Sequence, residues 1–298
     1  MGICLPLFVP DNHALHTQHL APDTNLLTEP FAFSANNMAR TNLSSRSVDI
    51  SDEVLGEGTF RVAYAGTYRG GTRNQQEAAC KVFKSRFRAL EEEFFAQDDR
   101  VADRAIAYAE EWNRFCEYGR EILITKGTVM DGNGAKYLVE PLIRHYQKFT
   151  SNNGWISADR DAEAMEAFAH YTYHRSGGNL LVCDLQGRYR FNKYKKAKSR
   201  YEVTDTAICS RKREFGPTDM GEKGIESFFH HHVCNRFCNH GGEKWQRPRS
   251  TWAWFPTSSG TSMLSSSVSE RLNTRNRTTF GVGFDTILEE DSDSDDYW

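Results

Sequence analysis

The chain has 298 residues, of which 39% are hydrophobic and 26% are charged, as is usual for globular proteins. Its formal net charge is −3. Because the last ten residues carry six acidic and no basic side chains, the remainder carries about +3. That charge is too small to indicate a nucleic-acid-binding protein, and no apolar run is long enough to span a bilayer.

The amino terminus shows no basic segment followed by an apolar core, so we expect no signal peptide. Gly2 and Cys4 hint at acylation, but Pro6 stands where a myristoylation signal has Ser or Thr. Seven cysteines, an odd number spread along the chain, suggest reduced thiols or metal ligands and not a disulfide framework. We therefore expect a cytoplasmic protein.

Residues 1–47 are polar and lack a sustained period, which predicts disorder. Order is predicted to begin near Val48, and Gly56 and Gly58 mark a turn between two strand-like stretches. Such a turn can hold phosphates with its N–H groups, although most Gly-x-Gly turns only reverse the chain. Lys81 then lies inside a strand of small and apolar residues. That position favours an anionic ligand in a cleft over a side chain that extends to the surface.

Helical periodicity runs from about residue 86 to 125, with apolar side chains every three or four residues. They are Val101, Ala105, Tyr108, Trp112 and Cys116. Glu121 lies near the end of this stretch among apolar residues, so we expect a basic partner, for which Lys81 is a candidate. A short strand that ends at Glu140 follows, and then a helix over 162–174.

The stretch from Asn179 to Asp205 carries the strongest chemical signal. A short apolar run predicts a buried strand that ends in Asp184, and Gln186 follows at once. Asp205 comes after a second short apolar piece. Two carboxylates and an amide oxygen form a set of hard ligands suited to Mg²⁺ and phosphate chemistry. A turn-capping role for Asp184 is the alternative.

Two further segments have a biased composition. Residues 188–200 contain seven basic and no acidic side chains. A solvated loop is the favoured interpretation, and a patch for an acidic substrate or nucleic acid is the alternative. Residues 249–298 are rich in Ser and Thr and end in the acidic run, which predicts a disordered tail.

Three residues near one another offer soft ligands for Zn²⁺: His232, Cys234 and Cys238. The two cysteines are four residues apart, which would place them on one helical face. A closed structural site needs a fourth ligand. The spacing alone leaves four candidates, namely His170, His230, His231 and His240.

Taken in order, these motifs resemble the α-kinases, the atypical Ser/Thr protein kinases that include myosin heavy chain kinase, elongation factor 2 kinase and channel-kinase domains. The resemblance covers about residues 48–242, and its most specific motifs are D-L-Q-G at 184–187 and H-x-C-x-x-x-C at 232–238. It implies an α+β, two-lobed atypical protein-kinase-like fold with a structural zinc site in the C-lobe. The N-lobe would cover about 48–139 and the C-lobe about 140–248.

The resemblance also implies the roles of individual residues around ATP. Lys81 corresponds to the lysine that contacts the nucleotide phosphates, and Glu121 to the helix glutamate near it. Glu140 corresponds to the linker glutamate near the adenine, and Asp184 to the catalytic aspartate. The expected activity is transfer of the γ-phosphate of Mg-ATP to a protein Ser or Thr. The alternative is a zinc-stabilised pseudokinase or binding scaffold.

Two metal sites follow from the same resemblance. Gln186 and Asp205 correspond to the magnesium-binding pair. His170, in A-F-A-H-Y-T-Y, corresponds to the fourth zinc ligand beside His232, Cys234 and Cys238. The partners implied are ATP and a protein substrate; we expect neither nucleic-acid binding nor a membrane span, and the sequence does not indicate the oligomeric state.

Overall fold

The structure, a computed structural model, describes residues 45, 47–115, 120–192, 199–238, 244–260 and 262–265. Its elements in chain order are β1 Ser47–Glu57, β2 Arg61–Arg69, β3 Glu77–Phe83, α1 Glu91–Phe115, β4 Arg120–Ile124, β5 Thr128–Gly132, β6 Ala135–Pro141, β7 Gln147–Lys148, α2 Glu163–Arg175, β8 Leu180–Cys183, β9 Gln186–Arg190, β10 Ser199–Thr204, β11 Ala207–Ser210 and α3 Gly221–His231. The predictions for residues 1–44, Cys116, His240 and the acidic end lie outside the described residues.

Five antiparallel strands form the first sheet, in the order β1-β2-β3-β6-β5. β1 and β2 form the predicted hairpin, whose turn is closed by a hydrogen bond of 2.8 Å from the N–H of Gly58 to the carbonyl of Arg61. β3 is central, and Lys81 pairs in register with Leu138 of β6. The middle of this sheet therefore carries the lysine that the sequence singles out.

A second sheet has the order β4-β10-β9-β7, and β8 pairs separately with β11. All four residues of β8 are buried, as its continuous apolar sequence predicts for a strand covered on both faces. α2 packs on β8 and α3 on β11. α2 confirms the helix that the sequence predicts over 162–174.

The helix predicted over 86–125 is only partly correct. α1 ends at Phe115, and residues 120–124 form β4, parallel to β10. Ile122 and Ile124 are buried at a spacing of two, so pairing with β10 outweighs the helical period. As a result, a strand from the predicted N-lobe belongs to the second sheet.

Trp112 on α1 packs against α2 in the largest hydrophobic core of the described residues. It is almost fully buried, and its ring lies 5.7 Å from that of Phe168 and 5.4 Å from that of Tyr171 on α2. Trp245, which follows α3 in the chain, closes the same cluster at 6.4 Å. No helix among the described residues is long and apolar enough to cross a membrane.

The segment after residue 248 differs from the predicted disorder as far as it is described. It contains no regular strand or helix over 249–260 and 262–265. Phe255 and Met263 nevertheless pack against the large core, and Ser265 is buried. A few apolar residues spaced along a Ser/Thr-rich sequence suffice to hold it, and an average over composition does not detect them.

We expect Trp112→Ala to lower the free energy of unfolding by about 3–5 kcal/mol, because it removes a buried aromatic side chain and leaves a cavity. Trp252→Ala is the matched control, since that side chain is 62% exposed. Urea unfolding of both variants measures the difference. Equal destabilisation by the two substitutions would contradict the packing described here.

Candidate active site

Lys81 joins three elements of the fold at one point. Its Nζ lies 2.7 Å from Oε2 of Glu140, near the end of β6, and 2.6 Å from Oδ2 of Asp205. Asp205 occupies the turn between β10 and β11. The hydroxyl of Thr204 donates a hydrogen bond to the same oxygen of Glu140. A buried cation is thus held between two carboxylates that come from different sheets.

The electrostatics of this cluster are set by burial and by the lysine. Burial raises the pKa of Glu140, against the opposing charge of Lys81. Burial would also raise the pKa of Asp205, but Lys81, together with Arg61 and Lys148, outweighs burial and holds that pKa below its usual value. Although burial alone would lower the pKa of Lys81, the two carboxylates raise it to about 12. The lysine is therefore charged at neutral pH, and an anionic ligand could replace a carboxylate beside it.

Asp184 follows β8 directly and is 1% exposed. Its backbone is left-handed, with φ of 52°. The next residue, Leu185, fixes this turn: its N–H donates to Oγ1 of Thr150 at 3.1 Å, and its carbonyl accepts from Phe149 at 2.8 Å. A rigid strand end and two hydrogen bonds thus hold the carboxylate in position.

Two side chains contact the Asp184 carboxylate. Nζ of Lys148, on β7, lies 3.0 Å from Oδ1, and the hydroxyl of Ser262 donates a hydrogen bond to Oδ2. Burial raises the pKa of Asp184, whereas Lys148 and Ser262 oppose that rise. The negative charge of Asp205 acts on Asp184 as well, which places the two carboxylates in one electrostatic site.

Gln186 begins β9, and its Nε2 donates to the main-chain carbonyl of Asp205 at 3.1 Å. This position depends on Gly187, whose φ is 147° and whose Cβ, if present, would lie 1.9 Å from the carbonyl oxygen of Glu202. Only glycine fits such an approach between β9 and β10. The D-L-Q-G motif therefore brings Gln186 and Asp205 together, as a shared cation would require.

The expected pairing of Glu121 with Lys81 is wrong. Glu121 lies on β4, where its carboxylate is 3.7 Å from Arg200. The cause is the misassigned end of the helix, because a strand paired with β10 directs this residue elsewhere. Asp98 is the α1 residue whose charge acts on Lys81 and Asp205, and it forms an ion pair with Arg61.

The sequence interpretation missed three residues of the site. Lys148 begins the run K-F-T-S-N-N-G at 148–154, a further stretch that resembles the family and could have indicated it. Asp98 is one acid among several on α1, and Ser262 is one serine in a Ser-rich tail, so neither has a local signal.

A cavity of about 260 Å³ opens beside the Lys81 cluster. Glu140 and Asp205 line it together with apolar side chains from α1 and the first sheet. The apolar lining residues are Phe95, Ala102, Val129 and Leu138. Charged side chains, among them Asp98 and Lys126, line it as well, and such a mixture of apolar walls and polar groups is typical of small-molecule sites.

The basic segment 188–200 is partly strand and not only a loop. Arg188 and Arg190 lie on β9 and both pair with Glu202 on β10, while Arg200 pairs with Glu121. Residues 193–198 lie outside the described residues.

Four side chains form a compact cluster of metal-ligand type: His170, His232, Cys234 and Cys238. Their ligand atoms all lie within 4.8 Å of one another. Nδ1 of His170 is 3.0 Å from Nε2 of His232 and 3.7 Å from Sγ of Cys234, and Nε2 of His232 is 3.7 Å from Sγ of Cys238. These separations match the edges of a tetrahedral N₂S₂ site.

The surroundings of the cluster also fit a metal. Nδ1 of His232 lies 2.6 Å from a carboxylate oxygen of Glu166, and Nε2 of His170 lies 3.0 Å from the carbonyl of Gln246. Such partners orient the imidazoles of metal sites. Burial, with a contribution from His232, lowers the pKa of His170 to about 3, so this imidazole is neutral, as a ligand must be. Together, these contacts leave one nitrogen of each imidazole facing the centre of the cluster.

The two cysteines reach this cluster from a loop and not from one helical face as predicted. α3 ends at His231, and the chain from His232 to Cys238 has no helical structure. The loop folds back toward α2 because Asn235 donates to the carbonyl of Glu163 at 2.9 Å. The spacing of four thus pointed to residues that the structure brings together with His170 and His232, but it predicted the wrong local structure for them.

The sequence profile of the Alpha-kinase family matches residues 56–238, which is more than half of the chain. The chain belongs to the alpha-kinase family. It is 38% identical over 94 residues to alpha-protein kinase vwkA of Dictyostelium discoideum, a match that covers 31% of this chain and 14% of that protein. Human eukaryotic elongation factor 2 kinase is 25% identical over 204 residues, which cover 65% of this chain and 26% of that protein. The chain thus spans about a quarter or less of these relatives.

Solved alpha-kinase structures share the fold. The alpha kinase from Entamoeba histolytica superposes with a TM-score of 0.55 at 21% identity, over 73% of this chain and 85% of that one. The alpha-kinase domain of myosin heavy chain kinase A in complex with AMP gives 0.51 at 20% identity, over 64% of this chain and 88% of that one. These likenesses confirm an alpha-kinase fold of mixed α and β structure.

We expect Lys81→Met to lower the free energy of unfolding by about 3–5 kcal/mol at pH 8, because it leaves the buried Glu140 and the partly exposed Asp205 without their cation. The decrease in the free energy of unfolding caused by Lys81→Met should be smaller at about pH 5. Without Lys81, the pKa of Glu140 in the folded chain rises further above its unfolded value. The folded state then keeps a proton that the unfolded chain releases, and stability falls as the pH rises past the unfolded pKa.

Urea unfolding at the two pH values measures this effect. Adding Glu140→Gln to Lys81→Met should reduce the pH dependence, and Lys136→Met, at a solvent-exposed ion pair with Glu92, should change stability little at either pH. A loss for Lys81→Met that is the same at both pH values would contradict the electrostatic account.

Proposed function

We propose that the chain is an ATP-dependent protein kinase that transfers the γ-phosphate of Mg-ATP to a Ser or Thr hydroxyl of a protein. The observation that carries this proposal is the buried Lys81 held between Glu140 and Asp205, with Asp184 in the same electrostatic site. Phosphoryl transfer depends on positioning and on neutralising charge, and this set of residues provides both. A cytoplasmic location remains a prediction.

Each residue has a role in this reaction. Lys81 would hold phosphate oxygens as a point charge, in place of its carboxylate partners. Gln186 and Asp205 would hold Mg²⁺, which neutralises phosphate charge when bound. Asp184 would orient the acceptor hydroxyl and take its proton. Lys148 opposes the rise in the pKa of Asp184 and so favours the ionised form that accepts a proton.

We propose Zn²⁺ as the metal of the second site, held by His170, His232, Cys234 and Cys238. Two nitrogen and two sulfur ligands in a tetrahedral arrangement suit zinc, and four protein ligands leave no open position for catalysis. The role is therefore structural: the site ties α2 to the loop that follows α3. Loss of the metal should destabilise the packing of α2 against the loop that follows α3.

We expect Asp184→Ala to reduce transfer of labelled phosphate from Mg-ATP by about 10²–10⁴-fold, because it removes the base that positions the acceptor. The assay supplies a generic basic protein and counts label on that protein and on the chain itself. Asp131→Ala, at an exposed site on β5, is the control and should retain transfer.

Unchanged transfer by Asp184→Ala would contradict the proposal. So would a wild-type chain that is folded and binds zinc but transfers no phosphate to any acceptor, a result that would favour the zinc-stabilised binding scaffold. Mapping the labelled sites then tests the choice of Ser and Thr.

We expect Glu166→Gln to weaken zinc binding by about 10–100-fold, because Glu166 orients His232 as a ligand. Competition with a chromophoric chelator measures the affinity. Glu163→Gln, on the same helix but paired with Arg236, is the matched control and should bind zinc as the wild type does. Equal affinities for the two variants would show that Glu166 does not support the site.

A further inference from the structure

The chain after α3 returns to the candidate active site. Residues 258–260 and 262–265, here called the crossing segment, contact the glycine-rich turn, β7 and the loop that follows β7. Oγ1 of Thr59 donates to the carbonyl of Ser262 at 2.9 Å, and Nζ of Lys148 donates to the carbonyl of Gly260 at 2.8 Å. The same Lys148 contacts Asp184. The crossing segment therefore lies directly over the catalytic carboxylate.

The crossing segment is held mainly through its backbone. The side-chain amide of Asn152 forms both hydrogen bonds that a strand neighbour would form with Met263, accepting its N–H at 3.0 Å and donating to its carbonyl at 2.9 Å. Asn153 donates to the carbonyl of Ser258 at 3.3 Å, and the N–H of Ser265 donates to Pro217 at 2.8 Å. Backbone contacts of this kind let a groove accept extended peptides of different sequence.

One side chain of the crossing segment contacts the proposed catalytic carboxylate. The hydroxyl of Ser262 donates to Oδ2 of Asp184, while Lys148 contacts the other carboxylate oxygen. A hydroxyl that donates to the proposed catalytic base has the position of a phosphate acceptor. Ser262 also lies in the segment fixed on both sides, by Lys148 at Gly260 and by Asn152 at Met263.

We propose that the crossing segment binds as a peptide substrate in cis and that Ser262 is the site of an intramolecular phosphorylation. The inference rests on the proposed kinase function. Oγ of Ser262 forms a bond to the γ-phosphorus of ATP as the bond from that phosphorus to the β,γ-bridging oxygen breaks and ADP leaves. The hydroxyl proton passes to the Asp184 carboxylate and from there to water.

The product changes the local charge. A phosphate on Ser262 would stand beside the buried carboxylate of Asp184, and like charges at such a site repel. The crossing segment would then leave the groove and open it to other proteins. Phosphorylation at Ser262 should therefore precede full activity toward a separate acceptor.

The test uses the full chain after phosphatase treatment, incubated with Mg-ATP and a generic basic protein, with phosphosites mapped by mass spectrometry over time. We expect phosphate at Ser262, with a rate constant that stays the same when the protein concentration changes tenfold. Ser262→Ala should remove this modification and hold labelling of the basic protein at its initial slow rate, because the unmodified segment then stays in the groove. Ser259→Ala, an exposed serine of the same segment, should behave as the wild type.

A second pair of variants tests the binding mode without touching the acceptor. Met263→Pro removes the N–H that donates to Asn152, and we expect it to slow modification of Ser262 at least tenfold, whereas Met263→Leu should retain the wild-type rate. Both variants should still label the basic protein.

The outcomes separate this proposal from the one on which it rests. Label on the basic protein without phosphate at Ser262, or a rate that rises with protein concentration, overturns the intramolecular site and leaves the kinase function standing. Absence of transfer to any acceptor overturns both.

Discussion

The ion pairs of Lys81 are the constraint on which the site depends. A buried ammonium group is costly unless it is paired, and here Glu140 and Asp205 pair it from opposite sheets. Glu140 and Lys81 are buried and Asp205 is about one-third exposed, so removing Lys81 leaves two carboxylates without their cation. The proposed function uses the same groups, a cation for phosphates and a carboxylate for a metal, so the requirements of stability and of the proposed function coincide at these residues.

The rest of the fold holds the partners of Lys81 in place. Gly187 allows β9 to approach β10, which positions Gln186 against Asp205, and Leu185 anchors the turn that carries Asp184. At a distance from this site, the His/Cys cluster links α2 to the loop after α3 through Glu166 and Asn235. The chain then continues through the buried Trp245 to the crossing segment. The carbonyl of Gln246, beside Trp245, lies 3.0 Å from Nε2 of His170, so this part of the chain contacts the proposed metal site.

Much of this site could be predicted from the sequence because its residues lie in short motifs with an unusual pattern. Lys81 in an apolar strand, Asp184 after a buried strand, and the closely spaced His232, Cys234 and Cys238 can each be recognised from residue type and position in the sequence alone. Residues whose role depends on tertiary contacts could not be predicted. Strand pairing with β10 determines where Glu121 lies, and the position of Ser262 depends on backbone contacts with distant loops. A Ser-rich composition contains no information about such contacts.

The measurement that tests the central claim most directly is calorimetric titration of the full chain with ATP, in the presence and absence of Mg²⁺, for the wild type and for Lys81→Met. The account predicts one site per chain, tighter binding with Mg²⁺, and an affinity at least tenfold lower for Lys81→Met, while Lys136→Met binds as the wild type does. Equal binding by wild type and Lys81→Met, or no effect of Mg²⁺, would contradict a nucleotide site built on the Lys81 cluster.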